Sequence, residues 1–175
     1  MSYLVIIFCS ILFFILGRYL NDIINLIKGK RNRAKKIKEE IDDKDKKYNF
    51  KRNDDLKMVF LVRQDLKMKA GKTAAQVAHA ALGLYDDIIF GNNQYQQEAL
   101  DFWVTYGQKK IVLKVPNLET MNNALNQCKQ ANIANCLITD AGCTQIPPGS
   151  KTVLGIGPDK SEKINKITGT FKLMS

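Results

Sequence analysis

The chain has 175 residues, 45% hydrophobic and 25% charged, with a net charge of +10, enough for one ordinary domain and an appendage. Its four cysteines, at positions 9, 128, 136 and 143, have no Cys-x-x-Cys spacing, which argues against a disulfide framework or a structural zinc. The single histidine, His79, excludes a multi-histidine metal centre within one chain.

Residues 1–17 carry no charge. That is at the short end of what crosses about 30 Å of hydrocarbon. Tyr19 and Leu20 extend the run if Arg18 snorkels to the interface. No basic segment precedes it and no small-x-small cleavage site follows, which speaks against a cleaved signal peptide. The cluster Lys28, Lys30, Arg31, Arg33, Lys35, Lys36 and Lys38 comes after the run. The positive-inside rule keeps that side in the cytosol. From residue 27 to 55 charges of both signs outnumber apolar residues, the mark of an exposed helix or a tether. The expected division is a membrane anchor at 1–20, a charged tether at 21–55 and a folded domain at 56–175. The charge is uneven, +6 over residues 1–57 and +4 over residues 58–175. A mildly basic body suits an acidic partner such as RNA, and equally an ordinary solvated surface.

Within the domain, the apolar run 58–62 predicts a buried strand. Residues 73–89 show helical periodicity, with Ala74, Val77, Ala78, Ala81, Leu82, Tyr85 and Ile88 on one broad face. A second helix is expected over 94–106 and ended by Gly107, then a strand at 110–115, a helix at 118–131 and a strand at 135–139. Short strands at 152–156 and 171–174 flank a small helix at 159–167. Alternating strands and helices predict an α/β fold. The expected architecture is a three-layer α/β/α sandwich with a mixed four- to five-stranded sheet, plus the N-terminal transmembrane helix.

Two segments carry candidate chemistry. In the first, Lys72, Gln76 and His79 fall at i, i+4 and i+7, on one face of the helix that starts nearby. A helix start offers unpaired N–H groups and partial positive charge, so with Lys72 it can hold an anion or oxyanion. The competing reading makes Lys72 and Gln76 the solvated face of an amphipathic helix. Gly71-Lys72-Thr73 is not a phosphate-binding P-loop, because Leu66 stands where that motif requires glycine. In the second segment Asp140 follows a strand, where open α/β sheets place their ligands. Thr144 and Thr152 bracket Pro147-Pro148-Gly149, a stiff turn that can aim nearby hydroxyls. The competing reading is a plain connection with Asp140 as a cap.

The opening segment runs from Arg63-Gln64-Asp65-Leu66-Lys67-Met68 into Gly71-Lys72-x-Ala74-Ala75-Gln76-x-x-His79-Ala80-Ala81. The closing one is Thr139-Asp140-Ala141-Gly142-x-Thr144-Gln145-Ile146, then Gly149-Ser150-x-Thr152-Val153-Leu154-Gly155-Ile156-Gly157-Pro158. Together they resemble the archaeal and eukaryotic type of peptidyl-tRNA hydrolase over residues 56–175. The resemblance implies an active site of Lys72, Gln76, Asp140, Thr144 and Thr152 and hydrolysis of the ester between peptide and tRNA; with an ester's good leaving group and no ligand cluster in the sequence, no cofactor or metal is expected. Cys143 departs from the polar residue common at its position. His79 is either a structural residue or a catalytic one. Arg63, Lys67, Lys69, Lys109 and Lys114 are candidate RNA contacts. The candidate partners are peptidyl-tRNA, a membrane reached through the anchor, and a second copy in a homodimer. Relatives with such an N-terminal segment point to the mitochondrial outer membrane, with the endoplasmic reticulum as the alternative and the domain in the cytosol. Two other readings are a membrane-tethered interaction or signalling protein that retains the fold, and an RNA-binding module without hydrolysis.

Overall fold

The computed structural model describes residues 18, 20, 23–33, 35–36, 49–141 and 146–174. The chain divides into two compact units, Met1–Lys47 and Tyr48–Ser175. In the first, all of the described residues are helical. Among the described residues no helix is long and apolar enough to cross a membrane. The anchor expected at 1–20 lies outside the described residues apart from positions 18 and 20.

The second unit runs β1 (Leu56–Arg63), α1 (Ala70–Ile89), α2 (Gln94–Thr105), β2 (Lys110–Val115), α3 (Leu118–Gln130), β3 (Asn135–Asp140), β4 (Ser150–Lys160) and α4 (Ser161–Thr168). Every residue of β1 from Leu56 to Val62 is buried, as a strand covered on both faces requires. It lies inside the sheet, whose order is β2-β1-β4-β3. β1 and β2 are parallel, and β4 runs antiparallel to both β1 and β3. The C-terminal ends of β1, β2 and β3 and the start of β4 therefore meet at one end of the sheet. Met58, Phe60 and Val62 of β1 pack under α1 and α2, while Val59 and Leu61 pack under α3 and α4. The three-layer expectation is met with four strands.

Three expectations change. Residues 171–174 do not make a fifth strand; they contribute one isolated bridge, Leu113 to Leu173, at the β2 edge. β4 runs through Gly157-Pro158 to Lys160, so the helix expected from 159 starts at Ser161. Phe50 is buried against Tyr95 and Phe102, so the compact unit opens at Tyr48, ahead of residue 56.

The face α1 lays on the sheet overlaps its broad apolar one only at the edge, through Val77, Ala81 and Ile88. Thr73, Gln76, Ala80, Leu84 and Ile88 are buried, whereas Ala74, Ala78, Leu82 and Tyr85 are exposed. Close approach explains the orientation. A Cβ at Gly155 of β4 would stand 2.8 Å from Leu84 Cδ1, and one at Gly83 would stand 2.6 Å from Cys136 Sγ. Glycine at both positions lets the later turns of α1 lie close on β3 and β4.

Candidate active site

The N-terminus of α1 is open. Lys69 at the N-cap makes no side-chain capping bond, and the first turn contains no acidic residue. A helix start presents amide N–H groups and partial positive charge. Lys72, in that first turn, forms an ion pair with Asp140, the last residue of β3; each side chain is only 10% exposed. The backbone N–H of Gly149 donates to the Asp140 carbonyl at 2.8 Å, closing the base of the Pro/Gly loop. Gly149 has φ +79°, a left-handed turn that favours glycine.

A second contact lies one turn further along. Thr152, fully buried on β4, donates its hydroxyl to Gln76 Oε1 at 2.6 Å. It lies 3.4 Å from the Ile138 carbonyl, a weaker contact. With Oε1 occupied, the amide nitrogen is the end of Gln76 that can donate to a bound group. Lys72 and Gln76 are therefore not a solvated face, since Gln76 is 6% exposed. Four of the expected residues thus form two pairs, each joining α1 to a different strand.

The remaining candidates separate. Thr144 and Cys143 lie outside the described residues. His79 is exposed on α1, and neither pair includes it. The Arg63 guanidinium, expected as an RNA contact, is engaged within the protein. It donates to both Asp65 carboxylate oxygens, at 3.0 and 2.5 Å, and to the Lys151 carbonyl at 3.0 Å. This fork holds the Asp65 carboxyl below its ordinary range and ties the end of β1 to the residue before Thr152. The signal was in the sequence: Arg63 and Asp65 are two apart at a strand end, close enough for a bidentate pair. Lys67 and Lys69 are exposed in the segment leading to α1, and Lys114 is half-buried on β2. Lys109 stands at the other end of the sheet, paired with Asp55 at 2.7 Å. Among the described residues no group of three His, Cys, Asp or Glu could hold a metal.

The family model for peptidyl-tRNA hydrolase PTH2 matches residues 56–174, which spans every strand and helix of the sandwich. The chain belongs to that family. It is 48% identical over 118 residues to a peptidyl-tRNA hydrolase of Sulfurisphaera tokodaii, covering 67% of this chain and 98% of that one. A Sulfolobus acidocaldarius protein of the same name is 47% identical over 120 residues, 68% of this chain and all of that protein. The human protein named peptidyl-tRNA hydrolase 2, mitochondrial, is 47% identical over 117 residues; the match covers 67% of this chain and 63% of that one.

Proposed function

We propose that the domain hydrolyses the ester joining the peptide to the terminal ribose of peptidyl-tRNA, the activity for which its family is named. The observation that carries this reading is the Lys72–Asp140 ion pair at the uncapped start of α1, next to the Gln76–Thr152 contact.

Asp140 accepts a proton from a water as its oxygen attacks the ester carbonyl carbon. Negative charge develops on the carbonyl oxygen, where Lys72, the first amides of α1 and the Gln76 amide stabilise it. The carbon–oxygen bond to ribose then breaks, and the departing ribose oxygen takes up a proton. Thr152 fixes the Gln76 carbonyl oxygen, so the amide nitrogen is held ready and no rotation is needed during reaction. Thr144 belongs to the same proposed site. An ester has a better leaving group than an amide, so neither a covalent nucleophile nor a metal is required by this chemistry. Phosphate contacts come from Lys67, Lys69 and Lys114, with recognition of the sugar–phosphate backbone rather than of sequence. A tethered interaction protein without catalysis would have no need of a desolvated Lys72–Asp140 pair at an open helix start.

We further propose that residues 1–20 anchor the chain in a membrane, the mitochondrial outer membrane above the endoplasmic reticulum. The uncharged run, the basic cluster after it and the mitochondrial name of the human relative support this. The domain then faces the cytosol.

The test of function is release of free tRNA from N-acetyl-aminoacyl-tRNA by the full chain, with and without a chelator. Hydrolysis unaffected by the chelator is expected. No release, or release that needs added zinc, overturns the mechanism.

A further inference from the structure

The helix that precedes the sandwich in the chain is two-faced. All described residues between 18 and 36 are helical. Leu20, Ile23, Ile24 and Ile27 fall at i, i+3, i+4 and i+7, with Leu26 at their border, so they form one broad stripe. The stripe is exposed, Leu26 by 63%, Ile27 by 58% and Leu20 by 51%. Arg18, Asn25, Gly29, Asn32 and Lys36 share the opposite face. The apolar stripe ends at Ile27, and Lys28, Lys30 and Arg31 follow within about one turn. Residues 18–36 hold seven basic side chains against one acidic, or +6. An exposed apolar stripe beside concentrated charge marks an interaction surface rather than a plain spacer.

We infer that this helix lies obliquely in the headgroup layer of an anionic membrane. Leu20, Ile23, Ile24 and Ile27 dip among the acyl chains, while Lys28, Lys30 and Arg31 meet the anionic headgroups. The inference rests on the anchor proposed at residues 1–20 only for delivery to the surface. What it adds is a second contact with a lipid preference of its own. Charge complementarity decides the occupant. A neutral bilayer would bury the stripe but gain nothing from the +6. RNA phosphates would take the basic residues and leave five apolar side chains in water. Pairing with a like helix needs an apolar repeat of at least ~3 heptads, and Arg31 interrupts this one after about two turns. An anionic interface satisfies both halves, because lysine stems cover apolar surface while their ammonium groups reach the phosphates. Each basic residue brought to such a surface strengthens the contact about 5-fold.

The test uses the full chain with vesicles of phosphatidylcholine, either alone or with about 30% phosphatidylserine to supply the negative surface. An environment-sensitive dye is attached at Ile24→Cys, Asn25→Cys, Ile27→Cys or Asn32→Cys, and the labelled parent gives the blank for the native cysteines. With phosphatidylserine, dyes at 24 and 27 should be shielded from an aqueous quencher at least ~5-fold better than dyes at 25 and 32, the alternation of a half-sunk helix. About 1 M salt should erase most of that contrast. Replacing both Lys28→Gln and Lys30→Gln should shift the docking equilibrium about 25-fold toward water and leave hydrolysis of N-acetyl-aminoacyl-tRNA unchanged. Equal shielding at 24 and 25 would show a continuous membrane span, and equal exposure a free tether; either overturns the proposal. An alternation as strong on phosphatidylcholine alone would remove the anionic lipid. Shielding that needs tRNA would make RNA the partner, and shielding without vesicles would mean that protein covers the stripe. Alkaline carbonate reads the anchor separately. A chain that carbonate extracts, yet that shows the alternation on anionic vesicles at neutral pH, loses the anchor and keeps this helix.

Discussion

Both ends of the sheet bury charge, and they use it differently. At the far end Asp159, 1% exposed, accepts from Tyr95 Oη and from the Lys160 backbone N–H, both at 2.8 Å, and pairs with Lys163 at 2.7 Å. Burial and that carboxylate push the Tyr95 hydroxyl well above its ordinary range. Beside it, the buried Lys57 donates to Asn165 at 2.6 Å, and desolvation lowers its pKa. These bonds turn inward and tie α2, α4 and the strand ends together. At the other end the pairs Lys72–Asp140 and Gln76–Thr152 join α1 to β3 and β4 under an uncapped helix start and a Pro/Gly loop. Buried charge by itself therefore does not mark a site. What distinguishes the site is an arrangement that can still donate to something bound.

The sharpest way to break this contrast is to truncate one residue at each end. Lys72→Ala and Asp140→Ala should each slow hydrolysis by at least ~100-fold, the loss expected for a charge stabiliser or general base. Each truncation also leaves a desolvated charge without its ion-pair partner, so stability falls as well and turnover is read per folded molecule. Near-normal turnover in either variant removes that residue from the mechanism. Asp159→Ala should cost stability alone. Its Tyr95, Lys160 and Lys163 partners lose a buried acceptor, so unfolding should become easier by about 2–3 kcal/mol. Turnover per folded molecule should hold, and denaturant titration alongside single-turnover assays reads both quantities.

Thr152→Val tests the second pair. The isostere fills the buried space but cannot fix Gln76, so the amide is free to turn. A loss of about 10-fold in kcat with little change in KM is expected, the cost of loosening one positioned donor. A change confined to KM would mean that Gln76 serves binding alone.

Local pattern carried most of the fold. Residues 58–62, 94–106, 110–115 and 118–131 gave elements whose ends moved by a residue or two, because each is an apolar run or a periodic stretch, and caps or breakers such as Asn93, Asn117 and Gly107 bound the helices. What failed was the choice of face on α1. Periodicity singled out Ala74, Val77, Ala78, Ala81, Leu82, Tyr85 and Ile88; Ile88 is buried and Val77 and Ala81 pack at the core's edge, but the other four are exposed and the sheet took Thr73 and Gln76 as well. A glutamine becomes tolerable in that position only because Thr152, 76 residues away, supplies its bond, and no local window contains that information. Phe50 was hidden for a similar reason, as a lone aromatic in a charged stretch whose partners, Tyr95 and Phe102, are distant in sequence. The site residues were legible through the two long signatures rather than through chemistry. From residue types alone, Lys72 and Gln76 read equally well as a solvated face. Arg63 misled because an arginine near a basic segment suggests phosphate, while its fork was already filled by Asp65 and Lys151.

A smaller effect separates the two ends as RNA surfaces. Lys67 is exposed at the site end, and Lys109 is held by Asp55 at the far end. Lys67→Ala should raise KM for tRNA substrates several-fold and reduce the magnitude of the log–log salt slope by about 1, the signature of one lost phosphate contact. Lys109→Ala should leave both unchanged. Equal effects would mean that tRNA spans the whole length of the sheet.

The smallest expected effect concerns acid. Asp65 carries two hydrogen bonds from Arg63, which hold its folded-state pKa below the ordinary 3.8. In acid the native state then binds fewer protons at this position than the unfolded chain does. The stabilisation is fully present above about pH 4–5, where both states are ionised, and is lost as pH falls through the lowered value. Because the Asp65 side chain is 39% exposed, solvent screening limits it to a few tenths of a kcal/mol. Asp65→Asn should therefore lower stability slightly at pH 7 and flatten its decline between about pH 5 and 2. Asp55, at the far end, is likewise lowered by its bond to Lys109, so Asp55→Asn should flatten the same acid limb. Turnover separates the two carboxylates. The Arg63 fork also reaches the Lys151 carbonyl, next to Thr152, so loosening it should slow turnover modestly even at neutral pH, whereas Asp55→Asn should leave turnover alone. Equal turnover in the two variants would show that the fork supports the fold and does not position Thr152.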